Sequence, residues 1–349
     1  MSSDWVNFLQ TQQAHNDSMG VSHFSNNPVI ADNDPNFLCD LSQLSLLRIS
    51  GDDAETFLQG QLSNDVSLLD GTQSQLSSYC SPKGRILASF RVYRSSDDFY
   101  LLIPADTLDA TSKRLRMFVL MSKVTIDDVS DELVRIGVSG GDADKALTQL
   151  SFAPPSSKNG VTLTDSVHIL NIPGASPRYI IIAADATMTD IWNNLRQHLP
   201  ARGYNHWNLM DIQQGIPSVV AATVDAFVPQ MINLHAIDGV SFSKGCYPGQ
   251  EIVARMHYLG KLKRRMYRAK VQTEQAPKPG DALFSADSDS GQGAGLIVMS
   301  AALADNQYEV LAVMQIKAHD EGALHLLSND GPALDVLDIP YSVSLERKK

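Results

Sequence analysis

Short apolar runs separated by polar clusters fill most of the chain, and their character changes once, near Gly260. Leu44-Ser45-Leu46-Leu47-Arg48-Ile49 reads as a strand. Asp52 with Glu55 three residues later signals a helix start, and Ala54, Phe57, Leu58 and Leu62 give its buried stripe. Arg85 to Arg94 and Phe99 to Ile103 form two strands around the polar turn Ser95-Ser96-Asp97-Asp98, and Leu108, Leu115, Phe118 and Val119 then recur at helical spacing. Val124-Thr125-Ile126, Leu133 to Val138, Val161 to Ile172 and Tyr179 to Ala183 continue the strand series, with helices expected at Ala143 to Leu150 and Thr187 to Leu199. Such interleaving predicts α+β layers. From Met266 onward the runs are short and β-rich (Tyr267 to Val271, Ala282 to Phe284, Ala294 to Val298, Tyr308 to Val313, Leu324 to Leu327), set apart by Gly, Pro, Asp and Asn, which predicts a separate small C-terminal barrel.

Length and composition narrow the picture. A chain of 349 residues exceeds one ordinary core and implies two or three domains. Residues 1 to 36 are rich in Ser, Asn, Asp and Gln and read as a loosely attached arm. The net charge of -11 opposes general attraction to nucleic acid or anionic membrane, so direct nucleic-acid binding is not expected. No apolar run has membrane-spanning length, and the first 35 residues lack the basic, apolar pattern of a leader, so a cytoplasmic protein is expected. Cys39, Cys80 and Cys246 stand far apart with no C-x-x-C pair, which points to neither a disulfide framework nor a zinc cage.

Candidate chemistry gathers in Lys244-Gly245-Cys246-Tyr247-Pro248-Gly249-Gln250-Glu251. Pro248-Gly249 fits a type II turn across Tyr247 to Gln250, after which Glu251 to Tyr258 can run as a helix. Cys246 then sits before a helix N-terminus and near Lys244, two influences that favour thiolate, and Gly245 removes side-chain bulk beside the sulfur. The alternative is an inert cysteine in a tight turn, but Lys, Gly, Tyr, Gln and Glu around one thiol make a poor core. Downstream, Arg255, Lys261, Lys263, Arg264, Arg265, Arg268 and Lys270 occur with no acidic residue among them, forming either a solvated face or an anion contact.

The run Phe242 to Glu251, followed by Val253-Ala254-Arg255, resembles the signature of the YgfZ family. Phe57 to Val66, Ser81-Pro82-Lys83-Gly84-Arg85 and Phe227 to Leu234 are similar to further blocks of that family, and the match spans roughly residues 40 to 345. The resemblance implies the fold of the glycine-cleavage aminomethyltransferase: three domains in a ring, the last a small β-barrel. On that pattern residues 37–53 with 133–222 form a first α+β domain, 54–132 with 223–261 a second, and 262–349 the barrel.

It also implies a tetrahydrofolate-binding factor that assists assembly or repair of iron-sulfur proteins, including those that modify tRNA. Folate or a one-carbon derivative, polyglutamate forms held by the basic run included, and iron-sulfur client or assembly proteins are the implied partners. Cys246, with Lys244 and Tyr247, is the expected functional centre; Trp207, Gln213, Leu44, Gly245, Gly249, Gln250, Glu251 and Arg255 are the expected folate-site residues. Gln213 stands where the family usually has Glu, and Leu44 where some relatives have an aromatic. No stable metal is expected, since three cysteines cannot supply a four-cysteine cluster, although Cys246 can serve as a transient iron contact. Two rival functions remain. An aminomethyltransferase or demethylase is disfavoured because the strand after Lys83-Gly84 carries Ala88 and Ser89 where the transferase has paired carboxylates. A cysteine hydrolase would need His235 or His257 as base, and His257 lies too far along the following helix. An enzyme of ordinary type is therefore not the leading expectation.

Overall fold

The first eleven residues already depart from the expected loose arm. In the computed structural model, which describes residues 2–25, 34–260, 262–285 and 293–343, helix α1 (Ser3–Thr11) is capped by Ser2, whose hydroxyl accepts from the Asp4 and Trp5 amides. Trp5 and Leu9, four residues apart and so on one face, are both buried, and the Trp5 indole donates to Asp40 Oδ1 at 2.8 Å. A hairpin follows, β1 (Ala14–Asn16) against β2 (Val21–Phe24), with Val21 fully buried. Polar composition hid two apolar anchors at helical spacing. Residues 26–33 of the expected arm lie outside the described residues.

The elements continue as β3 (Phe37–Asp40), β4 (Leu44–Ser50), α2 (Ala54–Gln59), β5 (Ser74–Cys80), β6 (Ile86–Ser95), β7 (Asp98–Pro104), α3 (Leu108–Arg116), β8 (Thr125–Asp128), β9 (Val134–Ser139) and α4 (Ala143–Gln149). Then come β10 (Val161–Leu163), β11 (Val167–Asn171), β12 (Arg178–Ala183), α5 (Asp185–Leu195), β13 (Ala201–Arg202), α6 (Tyr204–Gln213) and α7 (Gln250–Tyr258). The chain ends in β14 (Arg264–Gln272), β15 (Ala282–Phe284), β16 (Gly295–Ala304), β17 (Gln307–Gln315), α8 (Ile316–Glu321), β18 (His325–Leu326) and β19 (Leu334–Leu337). They fall into two compact units: Met1–Leu58, Val66–Gln75 and Phe90–Trp207 in the first, Gln59–Asp65, Leu76–Ser89 and Asn208–Lys349 in the second.

In the first unit a six-stranded sheet runs β10-β11-β12-β9-β3-β13, antiparallel except for the β3/β13 pair. Its alternate residues Val134, Ile136, Val138, Tyr179, Ile181 and Ala183 pack on α1, α4 and α5 through Trp5, Leu147 and Trp192, as a period of two against a period of 3.6 requires. A second sheet sets β4 between β7 and β8, with the Arg91–Ser95 end of β6 beyond β7. His168 on β11 meets Tyr93 on β6, Nδ1 to the phenol oxygen at 3.0 Å.

In the second unit six antiparallel strands run β18-β15-β16-β17-β14-β19 around Ala269, Val271, Leu283, Ile297, Val310, Ala312 and Met314. A bridge between His325 and Ala333 joins the two ends of that order, so the sheet curls on itself as the small barrel the turn-rich sequence predicts. No helix among the described residues is long and apolar enough to cross a membrane.

Candidate functional site

The Tyr247–Gln250 turn forms as its sequence dictates. Gly249 has φ +79° and ψ 3°, and the Gln250 amide donates to the Tyr247 carbonyl at 3.1 Å. The turn rests on a second one: the Gly84 amide donates to Ser81 O at 2.8 Å, and Gly84 has φ +69°. A Cβ on Gly249 would run into the Ser81 carbonyl and lie 2.7 Å from Gly84 Cα, while a Cβ on Gly84 would lie 2.9 Å from the Cβ of Ile252. Two glycines from distant motifs thus let two backbones touch.

Lys244 ties in a third motif. Its side chain is buried, and Nζ donates to the Leu62 and Asn64 carbonyls at 2.7 and 2.9 Å. Burial pushes the ammonium down to about 8, with Asp65 pulling the other way. Neighbouring bonds tighten the same junction: Ser63 Oγ donates to Gly239 O, and Asn64 Nδ2 to Leu76 O and Asp238 O. The fourth motif joins through Ile86 N to Phe227 O at 2.8 Å, Arg85 Nη1 to Ala226 O at 2.7 Å, and Gln230 Nε2 to Val253 O at 2.7 Å. Residues of all four motifs, Gln59–Asp65 from the first block, therefore meet within the second unit. Ser63, Asn64 and Gln230 carry much of this network; they lie in two blocks that resemble the family, but nothing in the sequence sets them apart from their polar neighbours.

Cys246 rides on this rigid base. It is exposed, whereas Cys39 and Cys80 are buried. The Cys80 thiol is pushed up to about 12 by burial, partly offset by the Ser78 hydroxyl at 3.6 Å. A Cβ at Gly245 would meet nothing within 4 Å, so the space beside Cys246 is open whatever residue stands there. Lys244 supports the loop from below, its ammonium engaged by carbonyls and 5.4 Å from the Tyr247 ring centre. Tyr247 is buried and its phenol is raised well above the ordinary range, first by burial and then by Cys80. Gln250 Nε2 reaches the Gly245 carbonyl at 3.2 Å and closes the loop, while Glu251 and Arg255 are exposed on α7.

The other expected residues lie elsewhere. Leu44 opens β4 and is half-buried; Gln213 ends α6 and is half-buried. Trp207 is 2% exposed, with the Arg178 guanidinium 4.7 Å from its ring centre and its edge against Gly137. An aromatic wall, an amide and an aliphatic side chain are the types a pterin needs, but the indole already has a stacking partner.

The basic run is not one surface. Arg268 pairs with the buried Glu309 at 3.0 Å, Lys270 approaches the same carboxylate at 4.0 Å, and Arg264 donates to Gly293 O. Lys261 lies outside the described residues. On β6, Ala88 is fully buried and the Ser89 hydroxyl accepts from Val219 N at 2.8 Å, so neither position presents an acid. Among the described residues no three His, Cys, Asp or Glu side chains cluster as metal ligands.

Residues 34–166 match the model of the GCVT N-terminal domain. The chain is 34% identical over 322 residues to the tRNA-modifying protein YgfZ of Colwellia psychrerythraea, covering 91% of this chain and 97% of that one. It is 31% identical to the tRNA-modifying protein YgfZ of Klebsiella pneumoniae, covering 88% and 94%. Its fold matches the glycine cleavage system aminomethyltransferase T of Bartonella henselae with a TM-score of 0.76 over 97% of both chains, at 15% identity.

Proposed function

The chain belongs to the YgfZ family, and from that premise we propose that it is a tetrahydrofolate-binding factor that assists assembly or repair of iron-sulfur proteins, tRNA-modifying enzymes among them, through the thiol of Cys246. The observation that carries this reading is the contrast among the cysteines: two are buried, and the third is presented to solvent on a loop that four sequence motifs brace. Such a support suits a sulfur that must meet a partner in a fixed pose. A sulfur in that position can contact iron transiently or undergo thiol exchange with a client.

Tetrahydrofolate, when bound, supplies a carrier for one-carbon units. In this reading Leu44 and Trp207 of the first unit offer the pterin an aliphatic and an aromatic contact. The GCVT-type domain supports a folate ligand. The rival reading, aminomethyl transfer, lacks a group to manage protons where Ala88 is buried and Ser89 holds a backbone amide.

Titration with tetrahydrofolate species, followed by tryptophan fluorescence in the wild type and in Trp207→Phe, tests the folate half. Saturable quenching that weakens in the variant is expected. Absence of saturable binding in the wild type would remove folate from the account and leave the thiol to be tested separately.

A further inference from the structure

The second unit carries a set of buried nitrogen groups that the proposed function does not use. The loop from Gln230 to Asp238 is held on one side by Gln230 Nε2 to Val253 O of α7, 2.7 Å, and on the other by Asn233 Nδ2 to Met266 O of β14, 3.0 Å. His235 lies on that loop, His257 one helical turn beyond Val253, and Arg265 next to Met266. Three different elements thus bring these side chains into one neighbourhood. Stacking on Phe242, with ring centres 3.8 Å apart, fixes the His257 ring.

Both ring nitrogens of His235, Nδ1 of His257 and Nε of Arg265 are buried and lack a hydrogen-bond partner among the described residues. Buried polar atoms in folded proteins nearly always find partners, so the N–H groups of this cluster need an acceptor, and His235 would need two once its ring is protonated. No acidic residue occurs between Glu251 and Glu274, and Asp238, three residues beyond His235 on the same loop, leaves both His235 ring nitrogens without a partner. The three residues are half-buried, so the neighbourhood can be reached from solvent.

We propose that His235, His257 and Arg265 form a binding site for a phosphate group. A cation is excluded by the Arg265 charge. A carboxylate presents two oxygens in one plane and suits a guanidinium fork, whereas a tetrahedral phosphate offers oxygens in several directions to donors from three elements. Electrostatics agree: burial, then His257 and Arg265, press the His235 imidazole down to about 4, and an anion at this place would reverse that pressure and draw a proton onto the ring.

The test is calorimetric titration of the full chain with inorganic phosphate, a phosphate monoester and glutarate, in the wild type, His235→Gln and Arg265→Gln, with circular dichroism confirming the fold. Saturable phosphate binding, about tenfold weaker or more in each folded variant, is expected, and in nitrogen-15 NMR the unprotonated His235 ring nitrogen should move upfield as it takes a proton on binding. If His235→Gln does not fold, Arg265→Gln alone decides. Equal binding of the monoester marks a site for phosphorylated ligands, and binding of inorganic phosphate alone marks an enclosed ion site. No saturable phosphate binding, affinity unchanged in the folded variants, or glutarate bound as tightly as phosphate would overturn the proposal.

Discussion

Gly84 and Gly249 touch through their backbones, 165 residues apart in sequence, so that neither position has room for a methyl group. Each also holds a positive φ, +69° and +79°. A side chain at 249 therefore meets both backbone strain and a fixed carbonyl. Gly249→Ala is expected to destabilise the second unit by at least about 2 kcal/mol, the left-handed penalty plus the overlap. Urea unfolding of the two proteins measures it, and an equal midpoint would show that the two turns can separate freely.

Lys244 is expected to act first as a brace. Lys244→Met keeps the aliphatic stem but leaves the Leu62 and Asn64 carbonyls without their donor, a loss of about 1–3 kcal/mol at neutral pH. Because the folded ammonium titrates near 8 and the unfolded one near 10.5, the unfolded chain holds more protons between those values. The wild type should therefore gain stability relative to Lys244→Met as pH rises through that window. A gap between the two proteins that is constant with pH would contradict the burial of this charge.

His168 gives an acid-side prediction in the first unit. Burial lowers its imidazole below 6.5, and Tyr93 meets it at 3.0 Å. The folded state then binds the proton less readily than the unfolded one, so its contribution is full above 6.5 and is lost as pH falls through the lowered folded value. Unfolding midpoints measured from pH 7.5 downward should decline less steeply in His168→Gln than in the wild type. Parallel declines would assign the acid sensitivity to other groups.

Strands and helices with strong periodicity were legible in the sequence: β6, β7, β9, β12 and α4 follow their apolar letters, and the Pro248-Gly249 turn follows from two residues. The anchoring of Trp5 and Leu9 was not, because composition averaged over 36 residues conceals two apolar positions at helical spacing. Strand β3 and helix α6 leave little signal in the sequence, because Phe37–Asp40 is short and the polar and apolar letters of Tyr204–Gln213 form no stripe. At the site, residue types identified the loop but not its wiring. Lys244 stands two positions from Cys246, yet its ammonium serves carbonyls of the irregular segment after α2, 182 and 180 residues upstream, which only the tertiary fold can specify. The basic run misled in the same way, since Arg268 and Lys270 answer a buried Glu309 on the neighbouring strand.

The central claim is that the exposed sulfur of Cys246 does the work for which the surrounding motifs hold the loop. Cys246→Ser conserves volume and the following turn, and at an exposed position it should change stability by no more than about 1 kcal/mol, while an alkoxide forms far less readily than a thiolate. The measurement is restoration of iron-sulfur enzyme activity in cells lacking the native protein, with each variant expressed at the native level. Cys39→Ser and Cys80→Ser, where they accumulate as folded protein, are expected to restore activity, and Cys246→Ser, folded and present at the same level, is expected to fail. Full restoration by Cys246→Ser would contradict the account and reduce the motif to a structural brace.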